Sequence, residues 1–232
     1  MRIRIARTLG VAGLVLVVVG CVSLKRTPEA RFFVLQSLVE PPLTASARQP
    51  VAIVGVEKIR MPDHLERPQL VTWTGSSELQ VDEFLRWAEP LGDGINRAIT
   101  ENLAGLLPDY QVMRRPWPGR VRTRCRVAVT LRVFGLQPDG TVRLEGVWAL
   151  LPHREQLAFE QKPVSLSRGP LPAGPEGAPP DPGVDAMNEL LAELSRQIAD
   201  AIQALPPEVA DPETDVADLE EDVVESEKVE NR

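Results

Sequence analysis

The sequence RTRCRVAVTLRVF, at residues 122–134, alternates apolar and polar residues along most of its length. Residues 141–150, TVRLEGVWAL, show the same alternation after a link that contains Pro138-Asp139-Gly140, a tripeptide typical of turns. Alternation with a period of two predicts strands in which one face is apolar and the other is wet. The two stretches therefore predict a long antiparallel hairpin, and this hairpin decides the fold.

Shorter stretches on both sides of the hairpin predict further strands. Residues 51–59 are apolar on both alternating faces at their start, which favours a strand in the middle of a sheet. The other predicted strands are residues 31–36, 69–74, 110–113 and 156–166.

Two segments have the apolar spacing of an amphipathic helix, with repeats at three and four residues. The first segment is residues 84–107, with Pro90 in its first turn and Pro108 after its end. The second follows Asp181-Pro182 and continues to Leu205. We therefore predict an α+β fold with a single mixed or mostly antiparallel sheet and two amphipathic helices packed on one face.

The amino terminus resembles a bacterial lipoprotein signal peptide. Three arginines precede an apolar run of eleven residues, which is too short to span a membrane, and the run ends at Gly20-Cys21. We predict that residues 1–20 are removed and that Cys21 carries fatty acyl chains, which would hold the protein on its membrane. An ordinary signal peptide with an incidental cysteine is the alternative. Val22 replaces the aspartate that usually retains lipoproteins in the inner membrane, so we expect the periplasmic face of the outer membrane.

The mature chain divides into a folded body and a charged tail. We predict one periplasmic α+β domain over residues 21–205, with a Pro/Gly-rich exposed loop at residues 169–183. Residues 206–232 contain eleven acids and two basic residues, and we predict a disordered acidic tail. The body is close to neutral, which argues against nucleic-acid binding because that function needs a basic face.

The sequence contains little material for catalysis. It lacks the glycine-rich phosphate loop, the dinucleotide motif and the nucleophile-elbow motif, so we expect no cofactor. His64 and His153 are about ninety residues apart and are predicted to lie at the surface or in turns. Ser76 lies in a predicted turn, and Cys125 is predicted to be a buried small hydrophobic residue. We predict no metal site and no enzyme activity.

The stretches MPDHLERPQLVT, at residues 61–72, and FLRWAEPL, at residues 84–91, resemble the PqiC-like family of lipoproteins. These lipoproteins are auxiliary components of ABC-type and MCE-type intermembrane transport systems. The residues that match the family pattern are Pro62, Asp63, Leu65, Arg67, Pro68, Gln69, Leu70, Val71, Trp87, Ala88, Glu89, Pro90, Leu91, Glu101, Asn102 and Leu103. The resemblance implies a lipid-transport accessory that works with an MCE-domain protein.

Within this motif, Arg67, Gln69, Trp87 and Glu89 are candidates for a surface that contacts the MCE partner. A structural role of the motif is favoured over a partner surface, because Pro68 and Pro90 fix the entry to a strand and the start of a helix. The chain is also a candidate homo-oligomer. Two other functions stay open at this point, a structural lipoprotein of another envelope or secretion complex and a periplasmic hydrolase.

Overall fold

The computed structural model describes residues 29–40, 50, 52–117, 121–152, 160–171 and 183–206. Eight strands and two helices follow one another along these residues. In chain order they are β1 Arg31–Phe33, β2 Ala52–Val56, β3 Gln69–Trp73, β4 Leu79–Trp87, α1 Leu91–Leu106, β5 Tyr110–Arg114, β6 Cys125–Leu136, β7 Val142–Leu151, β8 Glu160–Arg168 and α2 Val184–Ala204.

The strands form two sheets, so the prediction of a single sheet is wrong, although the α+β class is correct. One sheet has the order β1-β4-β3, and the other has the order β5-β2-β6-β7-β8. The error arises at β4, because the first helix was predicted to begin at Phe84 and instead begins at Leu91. Leu85 and Trp87 are buried while Phe84 and Arg86 are half-buried, which is the alternation of a strand. The strand pairs with β3 and β1 and builds the second sheet.

The predicted hairpin forms the centre of the five-stranded sheet. Strands β6 and β7 pair in antiparallel register, with Val129 opposite Trp148 and Ala128 opposite Ala149. The register shifts between Leu131 and Val133, so Phe134 rather than Val133 continues the buried face. On the other side of β6, strand β2 pairs in parallel with both β5 and β6, and it therefore lies inside the sheet as predicted.

Both helices pack against the five-stranded sheet and against each other. Helix α1 contacts β5 and α2, and helix α2 contacts β6, β7 and β8. Ile95 and Ile99 on α1, and Leu191 on α2, are fully buried together with Val127 of the sheet. Cys125 is buried on this same face, as predicted, and burial raises the pKa of its thiol to about 12. The apolar stripes of the two helices therefore supply much of the core.

The two helix starts differ in their chemistry. Pro90 occupies the cap position of α1, where its missing N–H costs no helix hydrogen bond. Gly183 caps α2 with a left-handed φ of 74°, which a residue with a side chain rarely adopts. A Cβ at Gly183 would also lie 2.5 Å from Val142 Cγ2. This position therefore requires glycine.

Several predictions concern residues outside the described part of the chain. These are the signal peptide at residues 1–20, the lipidation site Cys21, residues 172–182 of the Pro/Gly-rich loop, His153, and residues 207–232 of the acidic tail. Among the described residues, neither helix is long and apolar enough to cross a membrane.

Candidate functional site

The motif residues meet where the three-stranded sheet approaches the start of α1. A cleft of about 440 Å³ lies there, and Arg67, Trp87 and Glu89 all line it. The cleft therefore brings together three of the four residues predicted to form the partner surface.

A compact turn places Arg67 at the edge of this cleft. Leu65 N–H donates to the carbonyl of Pro62 at 2.9 Å, and Arg67 N–H donates to the carbonyl of Leu65 at 2.9 Å. The side chain of Leu65 is buried and anchors the turn in the core. Arg67 itself is exposed, and its guanidinium has no hydrogen bond or ion pair with any residue that the structure describes. Its side chain is therefore available to a partner.

Trp87 forms a fixed wall of the cleft rather than an exposed contact. It ends β4, and its backbone N–H donates to the carbonyl of Pro68 at 2.8 Å. Only 8% of the residue is exposed, and it belongs to the main hydrophobic core. Trp87 thus supports the structural alternative, because its ring stabilises the junction between the sheet and the helix.

Glu89 is engaged within the protein. Arg97 Nη2 donates to Glu89 Oε1 at 2.6 Å and also to the carbonyl of Leu35 at 2.7 Å. The hydrogen bond that Arg97 donates to Glu89 is the largest cause of the raised pKa of Arg97. Glu89 therefore orients an arginine that holds the N-terminal segment, by which we mean residues 29–40.

Gln69 lies outside the cleft. Its Nε2 is 3.4 Å from Glu83 Oε2, and the residue pairs with Arg86 across the three-stranded sheet. The structure therefore separates Gln69 from the other three predicted residues.

Two asparagines complete the attachment of the N-terminal segment. Asn102 Oδ1 accepts hydrogen bonds from Ser37 Oγ at 2.8 Å, from Leu38 N–H at 3.0 Å and from Val39 N–H at 3.1 Å. Asn188 Oδ1, on α2, accepts a hydrogen bond from Gln36 N–H at 2.9 Å. Since a free backbone donor in a part-buried position costs free energy, these bonds fix the path of the segment across both helices.

Gly105 explains how the segment comes so close to α1. A Cβ at this position would lie 2.6 Å from Val39 Cγ1 and 3.2 Å from the carbonyl oxygen of Glu40. Only a residue without a side chain allows this crossing.

His64 and Ser76, the described residues that were considered for catalysis, do not form a recognisable site with each other. The His64 ring packs edge-on against Trp73, with centroids 5.8 Å apart. Ser76 lies in the bend that Thr74 N–H closes by donating to the carbonyl of Glu78. In the described ranges, no three histidine, cysteine, aspartate or glutamate side chains are grouped closely enough to bind a metal.

The sequence analysis did not identify Arg97, Asn102 or Asn188 as residues that hold the N-terminal segment. The signal was present for the two asparagines, because both occupy core-facing positions of the helical stripes and both are buried. A buried amide needs hydrogen-bond partners, and the pattern could have indicated a contact there. Which segment supplies the partners could not be read from the sequence, since Gln36 and Asn188 are 152 residues apart.

Comparisons with known proteins support the resemblance noted in the sequence. The chain is 28% identical to the intermembrane transport lipoprotein PqiC of Escherichia coli K12 over 173 residues, which cover 73% of this chain and 84% of that protein. The PqiC of Shigella flexneri matches equally well. These matches confirm the predicted resemblance.

Two crystal structures share the fold. One, of an uncharacterized protein, has a TM-score of 0.58 at 22% identity and covers 75% of this chain and 99% of its own. The other, of protein XCC0632 from Xanthomonas campestris, has a TM-score of 0.54 at 16% identity and covers 72% and 92%. A sequence model of a protein family matches residues 33–199 of this chain, and the family consists of transport components and not of enzymes. The chain therefore belongs to the family of ABC-type transport auxiliary lipoprotein components.

Proposed function

We propose that this protein is anchored through Cys21 to the periplasmic face of the outer membrane and serves as an accessory of an intermembrane lipid transport system. In this role it docks on an MCE-domain partner and catalyses no reaction itself. Support comes from the family and from the intermembrane transport named for the PqiC relatives.

The docking proposal rests on the exposure of Arg67 and on its lack of an ionic partner among the described residues. Its guanidinium is exposed beside a cleft whose other walls are fixed, and it has no ionic partner among the described residues. An arginine at the centre of an interface commonly contributes about 2 kcal/mol or more to binding. Trp87 and Glu89 contribute indirectly, because they set the shape of the cleft.

A binding measurement with purified MCE-domain partner tests this proposal. Arg67→Glu is expected to weaken binding about thirtyfold, which corresponds to the typical contribution of an interface arginine. The protein is expected to melt like the parent, since the Arg67 side chain supports nothing in the described fold. Arg196→Glu is the matched control, because the charge change is identical and Arg196 is an exposed arginine on α2 whose ion pair, within the described part of the chain, is with Glu193.

The competing outcomes are distinct. Parental affinity of the Arg67→Glu protein would exclude this cleft as the docking site. An equal loss in both variants would show that only the overall charge matters. The unsubstituted protein could be abundant, folded and lipid-anchored and still fail to bind the MCE-domain partner. That result would favour the alternative function, a structural lipoprotein of another envelope complex.

A further inference from the structure

A second groove, of about 710 Å³, lies on the face of the five-stranded sheet that points away from the helices. Ala128, Val147 and Ala149 line its floor, and they alternate along β6 and β7 with residues of the buried core. Ala128 lies opposite Ala149 in the paired strands, so two small side chains keep the floor low at this point. The groove is therefore a feature of the sheet itself, and the strand pairing fixes its shape.

Lys58 joins this groove to the cleft beside Arg67. It lies two residues after the end of β2 and lines both cavities. The residue is exposed, and its ammonium group has no ion pair with any residue that the structure describes. The cleft and the groove are therefore two parts of one surface, and Lys58 is the point where they meet.

The groove is strongly cationic. Its described lining residues include the carboxylate of Glu57 and four cations, which are Lys58, Arg60, Arg115 and Arg126. Glu57 accepts hydrogen bonds from Arg115 Nε at 2.5 Å and from Arg126 Nη1 at 3.0 Å. Four positive charges and one negative charge leave a formal net charge of +3. Lys58 and Arg60 are exposed and have no ion pair among the described residues, so the groove attracts an anionic occupant.

The cleft, in contrast, has charges of both signs. Glu66, Glu89 and Asp93 line it together with Arg67 and Lys58. A partner segment with several acids would therefore meet repulsion in the cleft as well as attraction, whereas in the groove the positive charges predominate. The acids of such a segment are best accommodated beyond Lys58, on the sheet.

The shape of the groove favours a narrow protein segment over a membrane surface. The side chain of Arg126 is only 17% exposed, so its guanidinium lies in a recess. The guanidinium of Arg115 lies over the ring of Trp117, 4.4 Å from its centroid, and this contact fixes one wall. A bilayer surface is broad and cannot enter a recess of this kind. An extended segment fits it, because alternate side chains of such a segment point to the same side.

We propose that the docking surface continues from the cleft across Lys58 into the groove, and that the groove binds an extended acidic segment of the MCE-domain partner. The inference rests on the proposed docking function and adds the chemistry of the partner's contact surface. The acids of the segment pair with Lys58, Arg60 and the two arginines that share Glu57. Because exposed charges act at a distance, Lys58 and Arg60 mainly accelerate association.

Association kinetics with the purified MCE-domain partner test the proposal, with the full-length mature protein in detergent solution. Lys58→Glu together with Arg60→Glu is expected to lower the association rate about tenfold or more at low salt. In about 1 M salt, where the screening length is about 3 Å, the difference from the parent should largely disappear. Arg168→Glu with Arg196→Glu is the matched control, because the charge change is identical and neither residue is among the lining residues of the two cavities.

A cross-link locates the contact. Carbodiimide joins an amine to a carboxylate that touches it, and we expect it to join Lys58 to an aspartate or glutamate of the partner, identified by mass spectrometry of the linked peptides. If the bound complex gives no such cross-link at Lys58, the proposal is overturned.

The remaining outcomes separate this proposal from the docking function. Weakened binding of Arg67→Glu, with a parental association rate for the Lys58 and Arg60 variant, would leave the cleft as the docking site and overturn the groove. Parental binding of both would contradict the docking function itself. An equal loss in the control pair would show that only overall charge matters and would also overturn the proposal. Vesicles with anionic phospholipid probe the other occupant. Their capture of the Cys21→Ser protein through Lys58 and Arg60, with unchanged partner kinetics, would assign the groove to the membrane.

Discussion

Replacing Asn102 with alanine tests whether the family motif holds the N-terminal segment. The substitution removes the acceptor for Ser37 Oγ, Leu38 N–H and Val39 N–H. A net contribution of about 1 kcal/mol per hydrogen bond sets an upper limit of about 3 kcal/mol. Leu38 is 50% exposed, so water replaces part of this contribution. We expect a loss of about 2 kcal/mol in the free energy of unfolding.

Two measurements check this magnitude. For a domain of this size, a loss of about 2 kcal/mol lowers Tm by about 4–8 °C. Amide hydrogen exchange gives the location, because release of the segment should accelerate exchange at Leu38 and Val39 by about thirtyfold. Exchange in the core strand β6 should change only as much as global stability does.

Asn96→Ala is the matched control for the local effect. Asn96 lies on the same helix and donates from Nδ2 to the carbonyl of Glu57 at 2.7 Å. Glu57 lies outside the N-terminal segment, so this bond does not hold the segment. This variant should lower Tm without a separate increase in exchange at Leu38 and Val39. If Asn102→Ala leaves those two amides as protected as in the parent, the attachment does not depend on Asn102 and the reasoning is refuted.

Three further predictions concern single residues. Cys21→Ser should abolish labelling with fatty acid and release the protein from the membrane fraction; persistent labelling would exclude Cys21 as the lipidation site. Burial raises the pKa of Cys125 to about 12, so the folded state keeps this proton longer than the unfolded state. The free energy that the buried, protonated thiol contributes to folding is complete below the ordinary thiol pKa and is lost as the pH rises through about 12. Urea melts of Cys125→Ala at increasing pH should lack this alkaline loss. Gly105→Ala should destabilise the fold by about 1–3 kcal/mol through its clash with Val39, whereas Gly92→Ala, whose Cβ would only touch Met61, should not lower Tm.

The sequence was sufficient where one local pattern determines one structure. The hairpin, the interior position of β2 and the second helix were predicted from hydrophobic periodicity, and the burial of Cys125 followed from its phase in β6. The number of sheets was not predictable in this way. Phe84 and Ala88 have the spacing of the following helix, while Leu85 and Trp87 have the spacing of a strand, and pairing with β3 and β1 favours the strand.

The candidate site was predicted only in part for a related reason. Motif resemblance identifies which residue types recur, but it does not separate an exposed side chain from an internal one. Arg67 and Glu89 lie in the same motif and line the same cleft, yet the first is exposed without a described partner and the second binds Arg97. The difference depends on Arg97 and on the carbonyl of Leu35, which are distant from each other in sequence.

The held segment has a consequence for how the cleft meets a partner. If Cys21 is lipidated as proposed, seven residues separate it from Glu29, and the eight Cα–Cα steps reach at most about 28 Å from the membrane. Phe33, on β1, accepts a hydrogen bond from Ala88 N–H, and Ala88 lines the cleft, so the tether and the cleft are adjacent. A flexible Gly/Ser linker inserted before Glu29 would lengthen the tether without changing Arg67, whereas Asn102→Ala would not, because β1 stays paired with β4. We therefore expect the insertion to leave partner binding intact in detergent solution and to reduce capture of the partner on intact membranes. Equal binding in both settings would show that the tether does not orient the cleft.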